Sequence, residues 1–197
     1  MSELYAIEKS TLDNIGNAIR GKKGTTEPIP VANLADEISS ISGGGSQANK
    51  LAELISGNVT ALTEEDLKGL VSVASDSLYR RYTLKSISFP KTVAVIDSGG
   101  INQCTSLQNL SMYHGMWSIG DYGIGSCPNL KTLTIFDQEI DPSTKNTDPI
   151  YLQSSSFQGT FDGRSDFAIY VPANKLEAYK SATNWSVFAD NIFAIEE

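Results

Sequence analysis

Histidine and cysteine are nearly absent from this chain. One histidine, His114, and two cysteines, Cys104 and Cys127, occur in 197 residues. A Ser-His-Asp or Cys-His catalytic set would have to use His114. Its surroundings, Tyr113-His114-Gly115-Met116, match no nucleophile motif. His114 is expected to be an ordinary turn residue, and the chain no enzyme. Metal sites built from histidine and cysteine lack their ligands. Two cysteines are too few for a disulfide scaffold, and neither stands in a Cys-x-x-Cys pair. No run approaches the roughly 18 apolar residues of a membrane helix, which excludes membrane insertion by a helix. The start, Met1-Ser2-Glu3-Leu4-Tyr5, lacks a basic region followed by an apolar run, so folding in a cytoplasm is expected. Basic charge is scarce too: 15 Lys and Arg against 23 Asp and Glu leave a net charge of −8. That balance speaks against nucleic acid or an anionic membrane as a partner.

Three zones follow one another. Residues 1–42 read as a short helical hairpin. Ser10 suits an N-cap, and Leu12, Ile15 and Ile19 recur at helical spacing. Gly21 and Gly24 end that segment, and Pro30 suits the entry of a second helix striped by Leu34, Ile38 and Ile41. Two helices this short bury too little surface alone. Leu12, Ile15, Ile19, Leu34, Ile38 and Ile41 are therefore the candidate attachment or oligomerisation residues. Residues 43–46 form a Gly/Ser linker. Its glycines do not follow a strand, so they make no phosphate loop, and no cofactor is expected.

Residues 47–197 hold an internal repeat of 23 residues. Leu84, Leu107 and Leu130 share a column, as do Ile87, Leu110 and Leu133, and Phe89, Met112 and Ile135. Val73, Ile96 and Ile119 keep the same period, as do Leu78, Ile101 and Ile124. Polar columns run between them, and Cys104 follows Arg81 and precedes Cys127 in one column. One repeat cannot bury its own apolar set, but stacked repeats make a continuous core. The repeats are placed at 68–90, 91–113 and 114–136. Residues 137–149 read as an inserted loop. Asp137, Glu139, Asp141 and Asp148 alternate there like a calcium loop, but Pro142 stands where the glycine belongs, so no metal is expected. Residues 150–197 read as a degenerate repeat and a cap. The cap has a helix from Ala173 to Ala182 and an apolar closing segment of Trp185, Val187, Phe188, Ile192 and Phe193. Leu51, Leu54 and Ile55 are expected to cap the opposite end.

The segment Ser126-Cys127-Pro128-Asn129-Leu130-Lys131-Thr132-Leu133-Thr134-Ile135 resembles a BspA-type leucine-rich repeat, and Asn102 to Leu107 matches it again. The ending, from Ile169-Tyr170-Val171-Pro172 to Asn184-Trp185-Ser186, is similar to the terminal cap of versions seen in phage proteins. Residues 12–41 resemble a two-helix module at the start of phage structural proteins. The fold class is therefore α/β: a helical hairpin plus a small leucine-rich-repeat solenoid with a C-terminal cap. The resemblance implies a phage virion component made in the host cytoplasm, a head fibre, decoration or tail-associated protein. Its implied partners are other capsid or tail proteins, copies of itself as a homotrimer, and a host-surface glycan or protein. The alternative is a bacterial surface or protein-interaction protein with the same repeat.

Two features bear on a binding site. Cys104 and Cys127 share a column, which leaves open a disulfide or, preferably, two buried thiols packed as small apolar groups. The outward strand face is expected to carry Lys85, Ser86, Ser88, Gln108, Asn109, Ser111, Lys131, Thr132 and Thr134. Tyr113, Trp117, Tyr122 and Tyr151 are the aromatic residues that could supplement it.

Overall fold

A computed structural model of the chain describes residues 58–137 and 149–196. The candidate attachment residues Leu12, Ile15, Ile19, Leu34, Ile38 and Ile41 lie outside these, as do the linker, Leu51, Leu54, Ile55, Glu139, Asp141 and Asp148.

The repeat folds as a two-sheet coil. In chain order the strands are β1 (Ala61–Leu62), β2 (Ser72–Val73), β3 (Ser86–Ser88), β4 (Val95–Ile96), β5 (Asn109–Tyr113), β6 (Ser118–Ile119), β7 (Thr132–Phe136), β8 (Tyr151–Leu152), β9 (Ala168–Val171) and β10 (Ile192–Ala194). Odd-numbered strands and β10 build one large sheet in the order β1-β3-β5-β7-β9-β10. Even-numbered strands build a small sheet in the order β2-β4-β6-β8. Every pair is parallel. Each 23-residue unit contributes one strand to each sheet, so Asn109 pairs with Ser86 behind it and Thr132 ahead.

Side-chain alternation explains the core. On a strand, successive side chains point to opposite faces. Ile87, Phe89, Leu110, Met112, Leu133 and Ile135 point inward and are buried. Val73, Ile96, Ile119 and Leu152 close the core from the small sheet and are equally buried. Burying one such side chain contributes about 1.5–3 kcal/mol, and the ladder repeats the gain in every coil.

A third ladder runs along the turn side. The Arg80 N–H donates to the Asn102 carbonyl at 2.9 Å, that of Gln103 to Gly125 at 3.0 Å, and that of Ser126 to Gln158 at 2.9 Å. Leu78 donates likewise to Gly100, Ile101 to Gly123 and Ile124 to Ser156. All these amides donate to the following coil. The turns that aim them use left-handed backbone in two columns, Asp76, Gly99 and Tyr122, then Arg80, Gln103, Ser126 and Gly159. Such a conformation is uncommon outside glycine, so the ladder of hydrogen bonds must hold it.

Past Phe136 the period stretches without breaking register. Ser118 lies 9 residues after Asn109, but Tyr151 lies 19 after Thr132, so ten residues are inserted before β8. Ala168 lies 17 after Tyr151 where Thr132 lies 14 after Ser118, so three more precede β9.

The end of the stack is aromatic. A short 3-10 turn (Ala173–Lys175) leads into helix α1 (Leu176–Ser181). The 3-10 segment Ser186–Asn191 then leads to β10. Phe161 stacks on Phe167 at 4.1 Å between centroids, and Trp185 meets Tyr179 at 5.0 Å and Phe157 at 5.7 Å. The expected closing segment is split, however. Trp185 and Ile192 are buried and Phe188 joins the cluster, but Val187 and Phe193 face solvent. The alternation of β10 turns Phe193 away from the core that Ile192 enters.

Candidate functional face

Parallel sheets are usually covered on both faces. Here the outer face of the large sheet is uncovered by any other described element. It carries the polar columns expected from the sequence. Ser86, Asn109 and Thr132 are in register, as are Ser88, Ser111 and Thr134. Lys85, Gln108 and Lys131 form an exposed row at the strand entry, joined by backbone bonds of 2.8 Å from Gln108 to Lys85 and from Lys131 to Gln108. The six strand residues therefore share one face, and Lys85, Gln108 and Lys131 stand exposed at its entry.

The aromatic candidates do not stay together. Only Tyr113 belongs to the large sheet, where its ring meets Phe136 at 5.7 Å between centroids. Its hydroxyl donates to Glu64 Oε1 at 3.0 Å, and Lys91 Nζ lies 5.5 Å from its ring centroid. Partial burial, and then the hydrogen bond to Glu64, raise the Tyr113 phenol above its ordinary value. Trp117 and Tyr151 lie on the small-sheet side, exposed by 61% and 58%. Tyr122 lies in the left-handed column of the turn side.

Two other aromatics take their place. Thr134 pairs with Tyr170, which pairs with Phe193. The column Ser88, Ser111, Thr134, Tyr170, Phe193 thus changes from hydroxyl to aromatic along the stack. Tyr170 and Phe193 are 6.1 Å apart by centroid. Thr134, Tyr170, Phe193, Ala194, Ile195 and Glu196 line an open groove of about 450 Å³. Tyr170 and Phe193 escape the sequence reading because the insertion hides their column. Their signal is the resumed period, since Phe193 follows Tyr170 by 23 residues.

The scarce chemical groups serve the scaffold. Cys104 and Cys127 are free and buried. Cys104 Sγ donates to the Leu78 carbonyl at 3.0 Å, and Cys127 Sγ to that of Ile101 at 3.1 Å. Thr160 continues the column, its hydroxyl donating to Ile124 at 2.6 Å and accepting from the Cys127 N–H at 3.0 Å. The contact with Cys104 and burial push the Cys127 thiol well above its ordinary value. His114 stands in a turn, as expected, and is buried there, its Nε2 lying 2.8 Å from Asp137 Oδ1. Among the described residues, no three His, Cys, Asp or Glu side chains gather to hold a metal.

The family described as "BspA type Leucine rich repeat region (6 copies)" matches residues 59–163, over half the chain. The chain belongs to the BspA-type leucine-rich repeat family. The match begins at Val59, ahead of the expected first repeat at Lys68, because β1 already carries Leu62 in the column of Ile87. No curated protein matches the chain. A similar solved structure is that titled "The Crystal structure of Pneumococcal vaccine antigen PcpA", at 15% identity and a TM-score of 0.36. The likeness covers 71% of this leucine-rich-repeat chain and 42% of that one, so the chain spans less than half its length.

Proposed function

We propose that the chain is a non-catalytic protein-interaction module whose repeat domain binds a partner protein through the outer face of the large sheet. The carrying observation is the column that passes from Ser88 to Phe193 on a sheet face that no other described element covers. Hydroxyls at a fixed repeat offer hydrogen bonds without steric bulk, and Tyr170 and Phe193 offer apolar anchors beside them. Interfaces favour such rigid aromatic anchors. The interaction reading is preferred to the virion component, since the family shared with other proteins is the repeat alone. Within the same proposal, residues 1–42 attach or oligomerise the chain, with a trimer as the first choice.

Site-specific photo-crosslinking tests the face. A crosslinker is placed at Asn109 on the large sheet and, separately, at Trp117 on the small-sheet side. Protein adducts are expected from Asn109, suppressed by Ser111→Arg with Thr134→Arg at unchanged melting temperature. Equal adducts from Trp117, or none from Asn109, would overturn the assignment.

A further inference from the structure

The two sheets end differently. In the small sheet, carbonyls of one column accept from the next coil: Trp117 N–H donates to Ala94 at 2.6 Å, Gly120 to Ile96 at 2.8 Å, Tyr151 to Trp117 at 2.9 Å and Gln153 to Ile119 at 3.3 Å. At β8 the corresponding acceptors are Ile150 and Leu152. Trp185 Nε1 donates to the Ile150 carbonyl at 2.7 Å, and Asn184 Nδ2 to that of Leu152 at 2.8 Å. Side chains thus occupy the positions of a fifth strand, and that edge is closed to pairing.

Among the described residues, no side chain closes the large sheet in this way. Its inward-facing columns donate toward the next strand, as Phe89 does to Ser111 at 3.0 Å. Register carries that column through Met112, Ile135 and Val171 to Ala194. The Ala194 N–H therefore points to where a seventh strand would lie. Among the described residues no group accepts it, and none donates to the carbonyls of Ile192 or Ala194. Asp190 and Glu196, both exposed, bracket the strand, and the open groove lies beside it.

We propose that β10 is a docking edge that takes an extended segment of a partner protein, flanked by lysine or arginine, as a seventh strand of the large sheet. Alternating free N–H and C=O groups at strand spacing recognise a polypeptide backbone, and the groove receives alternate side chains. The bracketing carboxylates select the basic flanks. They also disfavour a second copy, since pairing two β10 edges would bring two acidic brackets together on chains of net charge −8. This edge shares the groove of Tyr170 and Phe193 with the outer face, but its outward backbone groups are offered whether or not the rest of that face is a binding site.

The probe is a fluorescein-labelled peptide, Lys-Thr-Val-Thr-Val-Thr-Lys, titrated with the full chain and read by anisotropy. Binding is expected, together with slowed hydrogen exchange of the Ala194 amide. Ala194→Pro removes the outward N–H at an edge, where proline is tolerated. It is expected to raise the Kd at least tenfold. Asp190→Lys with Glu196→Lys is expected to reverse the preference, so that a peptide with glutamate in place of both lysines binds better. That charge reversal decides the matter if Ala194→Pro unfolds the protein. Absence of binding, binding indifferent to both variants, or a dimer in analytical ultracentrifugation that Ala194→Pro dissolves would each overturn the proposal.

Discussion

At Cys127 a thiol donates to the carbonyl of Ile101, and at Thr160 a hydroxyl donates to that of Ile124. From Cys104 to Thr160 the column carries a small side chain with one donor, whether thiol or hydroxyl. Cys127→Ala leaves the Ile101 carbonyl short of a partner in a buried place, which costs about 1–3 kcal/mol. Urea unfolding at neutral pH should show that loss. The thiols should resist an aromatic disulfide reagent in the native protein and both react in urea. The pH dependence has a definite sign. The contact between the two thiols raises Cys127 and lowers Cys104, while burial disfavours the thiolate of both, so the protonated pair is the folded form. Stability from this pair is full below the unfolded thiol range, near pH 8.5, and declines as pH rises beyond it. Tyr113 is raised like Cys127 and adds to the decline at higher pH. A denaturant series from pH 6 to 10.5 that stayed flat would contradict both.

Among the elements, the strands were more legible than their ends. A single 23-residue period places Leu84, Ile87 and Phe89 above Leu107, Leu110 and Met112, and parallel register follows from that stacking alone. The face of Ser86, Asn109 and Thr132 was readable for the same reason. Tyr170 and Phe193 were not, because ten residues enter before β8 and three before β9, shifting their column out of phase. The burial of His114 was not legible, because its partner Asp137 sits 23 residues ahead, a contact that only stacking creates. The side-chain closure at β8 was equally hidden, since Asn184 and Trp185 meet Leu152 and Ile150 across more than 30 residues. Trp185→Phe keeps the ring against Tyr179 and Phe157 but removes the donor. A loss of about 1–3 kcal/mol is expected in thermal or urea unfolding, against little change for a substitution at exposed Val187.

On the scale of the whole molecule, the ten residues before β8 are the largest addition to the described coils. Deleting residues 139–148 removes ten residues and restores the spacing of the earlier coils while keeping Asp137 for His114. The shortened chain should fold, with a single cooperative transition by circular dichroism and a melting temperature near that of the parent, because loop length alone changes the closure entropy only slowly. A lost or split transition would mean that the inserted residues support the core.

The turn-side ladder also gives the stack an electrical direction. Arg80, Gln103 and Ser126 each send an N–H toward the following coil, so their peptide dipoles add, as they do along a helix. The positive end falls at Gly159, the last of that column. There the N–H meets no further coil but the carboxylate of Asp162, at 2.9 Å. Asp162 serves this column as an acidic N-cap serves a helix. Asp162→Asn should therefore lower the melting temperature more at low ionic strength than at high, where salt screens the exposed end of the dipole.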